Sequence, residues 1–172
     1  MSLIVWRISH KKQINSVFKP EASSCSGGRW NSKGTSLIYT SATLSLATLE
    51  ALVSMEIENF GNIFVSIGVK IPDNFPIKQV DENLLPHNWR DTSPPAVLAS
   101  IGDKWLTAKT TAVLKVPSAI IPQEYNYLIN PLHPDFERIS IYPPQSFTLD
   151  RNLKNIEKKL LTESYKVVLN KY

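Results

Sequence analysis

The sequence predicts an α+β domain built on a mixed or antiparallel sheet with flanking helices. Short apolar runs of strand character recur along the chain, and two longer stretches carry helical spacing. Their order is β, β, α, β, α and then β-rich, without the regular alternation of a doubly wound fold. At 172 residues the chain suits one domain with a substantial core. An apolar share of 42% with 20% charged residues excludes a globally disordered chain.

The elements follow in order. LIVWRIS (3–9) reads as an opening strand. Residues 10–26 are polar and irregular, ending in SSCSGG, a flexible lead into GGRWNSKG. SLIYTS (36–41) reads as a second strand, and Ser41 is the expected N-cap of a helix through ATLSLATLEALVSMEIENF, with Gly61 as its stop. NIFVSIGVKI (62–71) places Val65, Ile67, Val69 and Ile71 on one strand face. Prolines at 72, 76, 86, 94 and 95 make 72–95 a long connection of the functional or mobile kind. PPAVLASIGDKWLTA opens as a helix with proline in its first turn. TTAVLKVPS (110–118) is a strand that gives way to loop, and ERISIYP (137–143) and SFTLD (146–150) are closing strands. LKNIEKKLLTES spaces Leu153, Ile156 and Leu160 at helical intervals.

Charge and composition narrow the function. The pI is near 9.1. Residues 152–172 carry a net charge of +3, from five lysines against two glutamates, and the rest of the chain only +1. A basic tail is ordinarily a solvated face, and the chain shows no evident pattern of RNA-binding aromatics interleaved with basic residues, so direct nucleic-acid binding is not expected. Cys25 is the one cysteine and cannot form an internal disulfide, which fits a reducing cytoplasm. The apolar run in MSLIVWRISHKK is too short for a secretion signal, and no stretch of apolar residues is long enough for a membrane span. His10, His87 and His133 are scattered, so neither a metal site nor a Ser-His-Asp triad is expected.

Two side chains stand out chemically. Glu50 is the lone charge between Ser41 and Met55, with Leu46, Ala47, Val53, Ser54 and Ile57 as its helical neighbours. A carboxylate on such an apolar stripe has to be paired or hydrogen-bonded, and such groups are enriched at active sites. Arg29 follows Gly27 and Gly28, where its planar fork can approach a phosphate without steric obstruction. A surface hairpin with an ordinary ion pair satisfies the same residues. Trp30 and Tyr39 fit core positions as readily as stacking platforms. Ser118, in KVPSAIIP, lacks a neighbouring base that would make it a nucleophile.

GGRWNSKGTSLIYTSATLSLATLE (27–50), followed by VLKVPSAIIPQEYNYLINPLHPDFERI, resembles the two signatures of the RES-domain toxins, the toxin halves of bacterial toxin–antitoxin modules. The opening WRI and IGDKWL (101–106) also fit, and the resemblance runs from about residue 5 to 150. It implies a RES domain over 1–151 with an ADP-ribosyltransferase-like fold, and a C-terminal extension over 152–172, helical and packed on or near the domain. The closing segment departs from the family, which commonly ends near a phenylalanine–aspartate–proline-type motif, whereas this chain reads SFTLDRNL and then continues. The resemblance further implies an enzyme that consumes NAD as a substrate, with no cofactor or metal, by hydrolysis or phosphorolysis of the nicotinamide–ribose bond. ADP-ribosyl transfer to a protein is the enzymatic alternative, and a basic-tail module binding nucleic acid or a partner is the non-enzymatic one.

Under that resemblance Glu50, Arg29 and Tyr39 are the expected catalytic residues. Glu50 would stabilise the developing ribosyl cation, Arg29 would hold the pyrophosphate, and Tyr39 would orient the nicotinamide. Ser118 and Asn126 are expected to hydrogen-bond the dinucleotide, with Arg7, Trp30 and Gly28 lining its pocket. The implied partner is a helix-turn-helix antitoxin, and a homodimer is left open.

Overall fold

A computed structural model describes residues 2–19, 27–54 and 63–149. The expected C-terminal helix and the continuation of the Glu50 helix to Gly61 lie outside the described residues. Strands β1 (Leu3–His10), β2 (Ile38–Ser41), β3 (Phe64–Ile71), β4 (Ile77–Gln79), β5 (Val113–Pro117), β6 (Tyr125–Ile129), β7 (Ser140–Ile141) and β8 (Gln145–Phe147) join in one sheet. Its order is β4-β5-β6-β2-β1-β3-β7, with β8 also pairing β3. Only the β4–β5 pair is parallel among these neighbours, so the sheet is mixed. Helices α1 (Leu44–Ser54) and α2 (Ala96–Ala108) flank it.

The sheet has one thinly paired seam. β1 and β3 pair along eight residues, from Leu3↔Ile71 to His10↔Phe64. β2 and β6 likewise pair over four residues, Ile38↔Ile129 to Ser41↔Asn126. Between these two halves, β1 and β2 meet at a single register position, Trp6↔Ser41. The sheet splays beside that point, and α1 crosses next to it.

Burial explains the elements. Val5, Ile38, Val69, Ile71, Val113 and Ile129 form the main core with Phe75, Ala112, Tyr127 and Ile139. A second cluster places Leu98 and Trp105 of α2 against Trp30, Leu114, Val116 and Leu128. A third packs Ala47 and Ala51 of α1 on Ile8 and Phe64. The alternation in β3 predicts one buried face, but the strand is covered on both. α1 lies over Phe64, while Val17, with Ile14 and Phe18, covers Val65 and Ile67. Each fully buried aliphatic side chain in these clusters contributes about 1.5–3 kcal/mol.

The structure corrects several local expectations. Ser41 does not cap α1; it lies in β2 with 4% of its surface exposed. The capping oxygen is that of Thr43, which accepts from the Leu46 amide at 3.0 Å. The prolines at 94 and 95 precede α2 rather than entering its first turn. The connection 72–95 contains β4 and a 3-10 turn, Glu82–Leu84. The stretch after 118 reads as loop in the sequence, yet Tyr125–Ile129 forms the interior strand β6. ERISIYP shortens to a two-residue strand preceded by a 3-10 helix, Pro134–Arg138.

Candidate active site

The splay between β1 and β2 opens a cleft of about 370 Å³, within the range of small-ligand sites. Its walls include Trp6 and Arg7 of β1, Tyr39, Thr40 and Ser41 of β2, Glu50 of α1, Asn126 of β6, and the Gly27–Gly28 backbone. Sequence positions from four elements and one loop thus converge on one volume.

Glu50 is half-buried and fully engaged on one oxygen. Its Oε1 accepts from Asn126 Nδ2 at 2.6 Å and from Ser118 Oγ at 2.9 Å. Among the described residues nothing hydrogen-bonds Oε2. Ser118 is fully buried, and its Oγ accepts from the Ile120 and Ile121 amides at 3.1 and 3.2 Å. Its one proton is therefore directed to Glu50. The carboxylate on an apolar stripe has found the partners that such burial requires.

The loop 27–31 forms the opposite wall. Gly27 takes φ 65°, a left-handed conformation suited to glycine. Gly28 donates its amide to Asn31 O at 2.9 Å. A Cβ on Gly28 would lie 2.5 Å from the Tyr39 hydroxyl. That hydroxyl donates to Asn31 Oδ1 at 2.7 Å and accepts from the Trp30 amide at 3.1 Å. Burial pushes the Tyr39 phenol above its ordinary range, so it stays protonated and keeps this donor role. Asn31 is itself buried, and its Nδ2 donates to Thr35 O at 3.1 Å. Asp103 of α2 accepts from the Ser32 amide at 3.0 Å. Gly28→Ala is accordingly expected to cost about 1–3 kcal/mol in denaturant unfolding through overpacking.

Two guanidinium groups sit near the cleft in different ways. Arg7 Nη1 donates to Tyr39 O at 2.8 Å, bridging the splayed strands. Its Nε is buried, with no hydrogen-bond partner among the described residues. Burial lowers Arg7 to about 10, which leaves it cationic at neutral pH. Arg29 does not line the cleft. Its Nη1 donates to Trp89 O and its Nη2 to Asp91 O at 3.0 Å, so the connection 86–91 holds it. Burial lowers Arg29, and the field of Glu50 is the largest of the influences opposing that shift.

The expected site residues thus divide. Glu50, Tyr39, Asn126, Arg7 and Gly28 come together around the cleft. Ser118 and Trp30 differ from expectation as ligand contacts. Ser118 is buried behind Glu50, and Trp30 is 2% exposed within the α2 core cluster. Asn126 reaches the cleft, but its amide nitrogen serves Glu50. The sequence alone does not single out Ser41, Asn31 or Trp6 as site residues. All three lie inside stretches that carry the family resemblance, and Ser41 also bears the signature of a helix cap. Among the described residues no three His, Cys, Asp or Glu side chains converge as metal ligands, and no helix is long and apolar enough to cross a membrane.

Comparison with known proteins places this geometry. The RES domain family model matches residues 4–150. The chain is 34% identical over 154 residues to Toxin Res of Yersinia enterocolitica, covering 88% of this chain and 100% of that protein. It is 34% identical over 125 residues to the Prs ADP-ribosylating toxin of Sphingobium sp., covering 66% of this chain and 71% of that protein. In fold it is similar to a chain of the crystal structure of the M. tuberculosis MbcT–MbcA toxin–antitoxin complex, with a TM-score of 0.69 at 11% identity, covering 86% and 85% of the two chains. From the first strand to the last, therefore, this chain belongs to the RES domain family.

Proposed function

We propose that this chain is a toxin enzyme that cleaves the nicotinamide–ribose bond of NAD in the cleft between β1 and β2. The observation that carries the reading is the Glu50 carboxylate, clamped through Oε1 by Ser118 and Asn126, with Oε2 bonded by none of the described residues. The departing base already carries a pyridinium charge, so no strong general acid is needed. The C1′–N bond breaks with both electrons passing to the nicotinamide nitrogen, and C1′ becomes an oxocarbenium-like centre. An acceptor oxygen then closes the new bond as its proton is released. A rigid negative group beside the ribose stabilises that transition state. Glu50 Oε2 is suited to accept from a ribose hydroxyl and to face the developing cation.

Arg7 supplies the positive charge lining the cleft, and Arg29 a second guanidinium close enough to feel Glu50. Together they suit a pyrophosphate, with Arg29 exchanging its contacts to Trp89 and Asp91 for phosphate oxygens. Tyr39 holds the glycine loop through its hydroxyl and contributes to the wall where the nicotinamide would lie. Arg7→Gln is expected to weaken NAD binding by about 1.5–3 kcal/mol in calorimetry, the worth of a hydrogen bond to a charged group. Affinity unchanged in that variant would assign the pyrophosphate to other groups.

The identity of the acceptor separates two activities. Transfer of ADP-ribose to a protein is favoured by one observation, the 34% identity to a relative named as a Prs ADP-ribosylating toxin. The test for both readings is free nicotinamide release from NAD by the purified chain, with and without phosphate, alongside mass spectrometry for ADP-ribose on cell proteins. Release without protein labelling supports glycohydrolysis or phosphorolysis, and labelling supports transfer. No release under either condition together with no labelling of cell proteins removes NAD as the substrate. The toxin–antitoxin relationship of the structural neighbour supports a neutralising antitoxin partner, for which a segment closing the cleft is a sufficient physical means.

A further inference from the structure

Ser41 occupies a position that neither capping nor packing explains. It is the β2 residue in register with β1, opposite Trp6, and it pairs with Asn126 on the other side. Its Oγ donates to Asn126 Oδ1 at 2.7 Å, and Asn126 Nδ2 donates to Glu50 Oε1 at 2.6 Å. Ser41 is 4% exposed and Asn126 9%, so water is a poor substitute for either bond.

We infer that Ser41 is a positioning residue for Glu50, acting through the Asn126 amide; this rests on the proposed role of Glu50. The two ends of an asparagine amide are nearly the same in shape and opposite in hydrogen-bonding sense. With Oδ1 turned toward Glu50, two acceptors would face each other. The carboxylate, which only accepts, selects the NH₂ end, and the hydroxyl of Ser41, donating to Oδ1, anchors the amide in that orientation and fixes its place. All dipoles along this series of bonds then point the same way, and each bond polarises the next. Ser118, just past the end of β5, reaches the same Oε1 independently. Two separately built arms therefore fix one oxygen and set the direction of Oε2.

The inference is tested with Ser41→Ala and Ser41→Thr in the full chain, reading NAD turnover and the Asn126 side-chain amide resonances by NMR. In Ser41→Ala, kcat should fall about tenfold, the effect of one hydrogen bond, while KM stays within about twofold because the Ser41 proton is committed to Asn126 rather than offered to a ligand. Ser41→Thr keeps the hydroxyl and should restore most of the rate. The Asn126 amide proton bound to Glu50 should shift upfield and exchange faster in the alanine variant, and stay near its wild-type position in the threonine variant. If Ser41→Ala does not fold, Ser41→Cys, a weak donor of similar size, carries the same expectations at smaller amplitude. Wild-type kcat together with an unchanged Asn126 resonance would overturn the inference, as would loss of rate that appears wholly in KM. Should the wild-type chain release no nicotinamide, the proposed activity fails, but the amide resonance still decides whether Ser41 orients Asn126.

Discussion

Glu50→Gln is expected to retain the fold and lose NAD turnover by roughly 10²–10³-fold, the scale seen when one electrostatic contact to a transition state is removed. The substitution conserves volume, and a glutamine oxygen can still accept from Ser118 and Asn126, which contact a single oxygen of the carboxylate. What is lost is the negative charge beside the ribose, together with the second acceptor. Affinity for NAD should change far less than kcat, because the charge acts on the cation formed during bond cleavage. Initial rates of nicotinamide release and calorimetric NAD binding measure the two quantities separately. Equal losses in both would make Glu50 a ground-state anchor.

Gly102→Ala should be strongly destabilising, against the usual direction for this change. Within a helix, glycine to alanine ordinarily stabilises by about 0.5–1 kcal/mol. Here a Cβ on Gly102 would stand 1.7 Å from the Trp30 carbonyl oxygen. α2 therefore rests directly on the backbone of the loop that carries Gly28, Arg29 and Asn31, and Asp103 ties the next residue of that loop. Relieving the collision requires the loop or the helix to move, at a cost of about 3 kcal/mol or more. The expected result is a lower unfolding midpoint, accompanied by weaker NAD binding because the cleft wall is displaced. Ser100→Ala, at an exposed position on the same helix, should be neutral or slightly stabilising and so separates helix propensity from the collision.

The elements with clear periodicity are legible in the sequence. Strand and helix patterns locate β1, β2, β3, β5 and α2 to within a few residues. The need for Glu50 to find partners is also legible, since an isolated carboxylate on an apolar stripe has few other options. The identity of those partners is not, because Ser118 and Asn126 lie 68 and 76 residues away along the chain, and local spacing holds no trace of such pairs. β6 escapes sequence reading for a related reason. YNYLI carries a polar residue at its second position, Asn126, which is tolerated in a buried strand because Ser41 and Glu50 satisfy its amide. Ser41 satisfies the sequence signature of a helix cap, yet tertiary pairing with β6 claims its hydroxyl and Thr43 takes the cap. The family resemblance directs attention to Arg29 and Tyr39. It does not reveal that the Trp89 and Asp91 carbonyls hold Arg29 or that Tyr39 anchors the glycine loop.

A crystal structure of Glu50→Gln soaked with NAD tests the central claim most directly, since the variant should bind the dinucleotide without consuming it. The nicotinamide ribose should lie within hydrogen-bond distance of residue 50, between β1 and the 27–31 loop, with the pyrophosphate against Arg7 or Arg29. A dinucleotide bound elsewhere on the domain, or a ribose turned away from residue 50, would contradict the account.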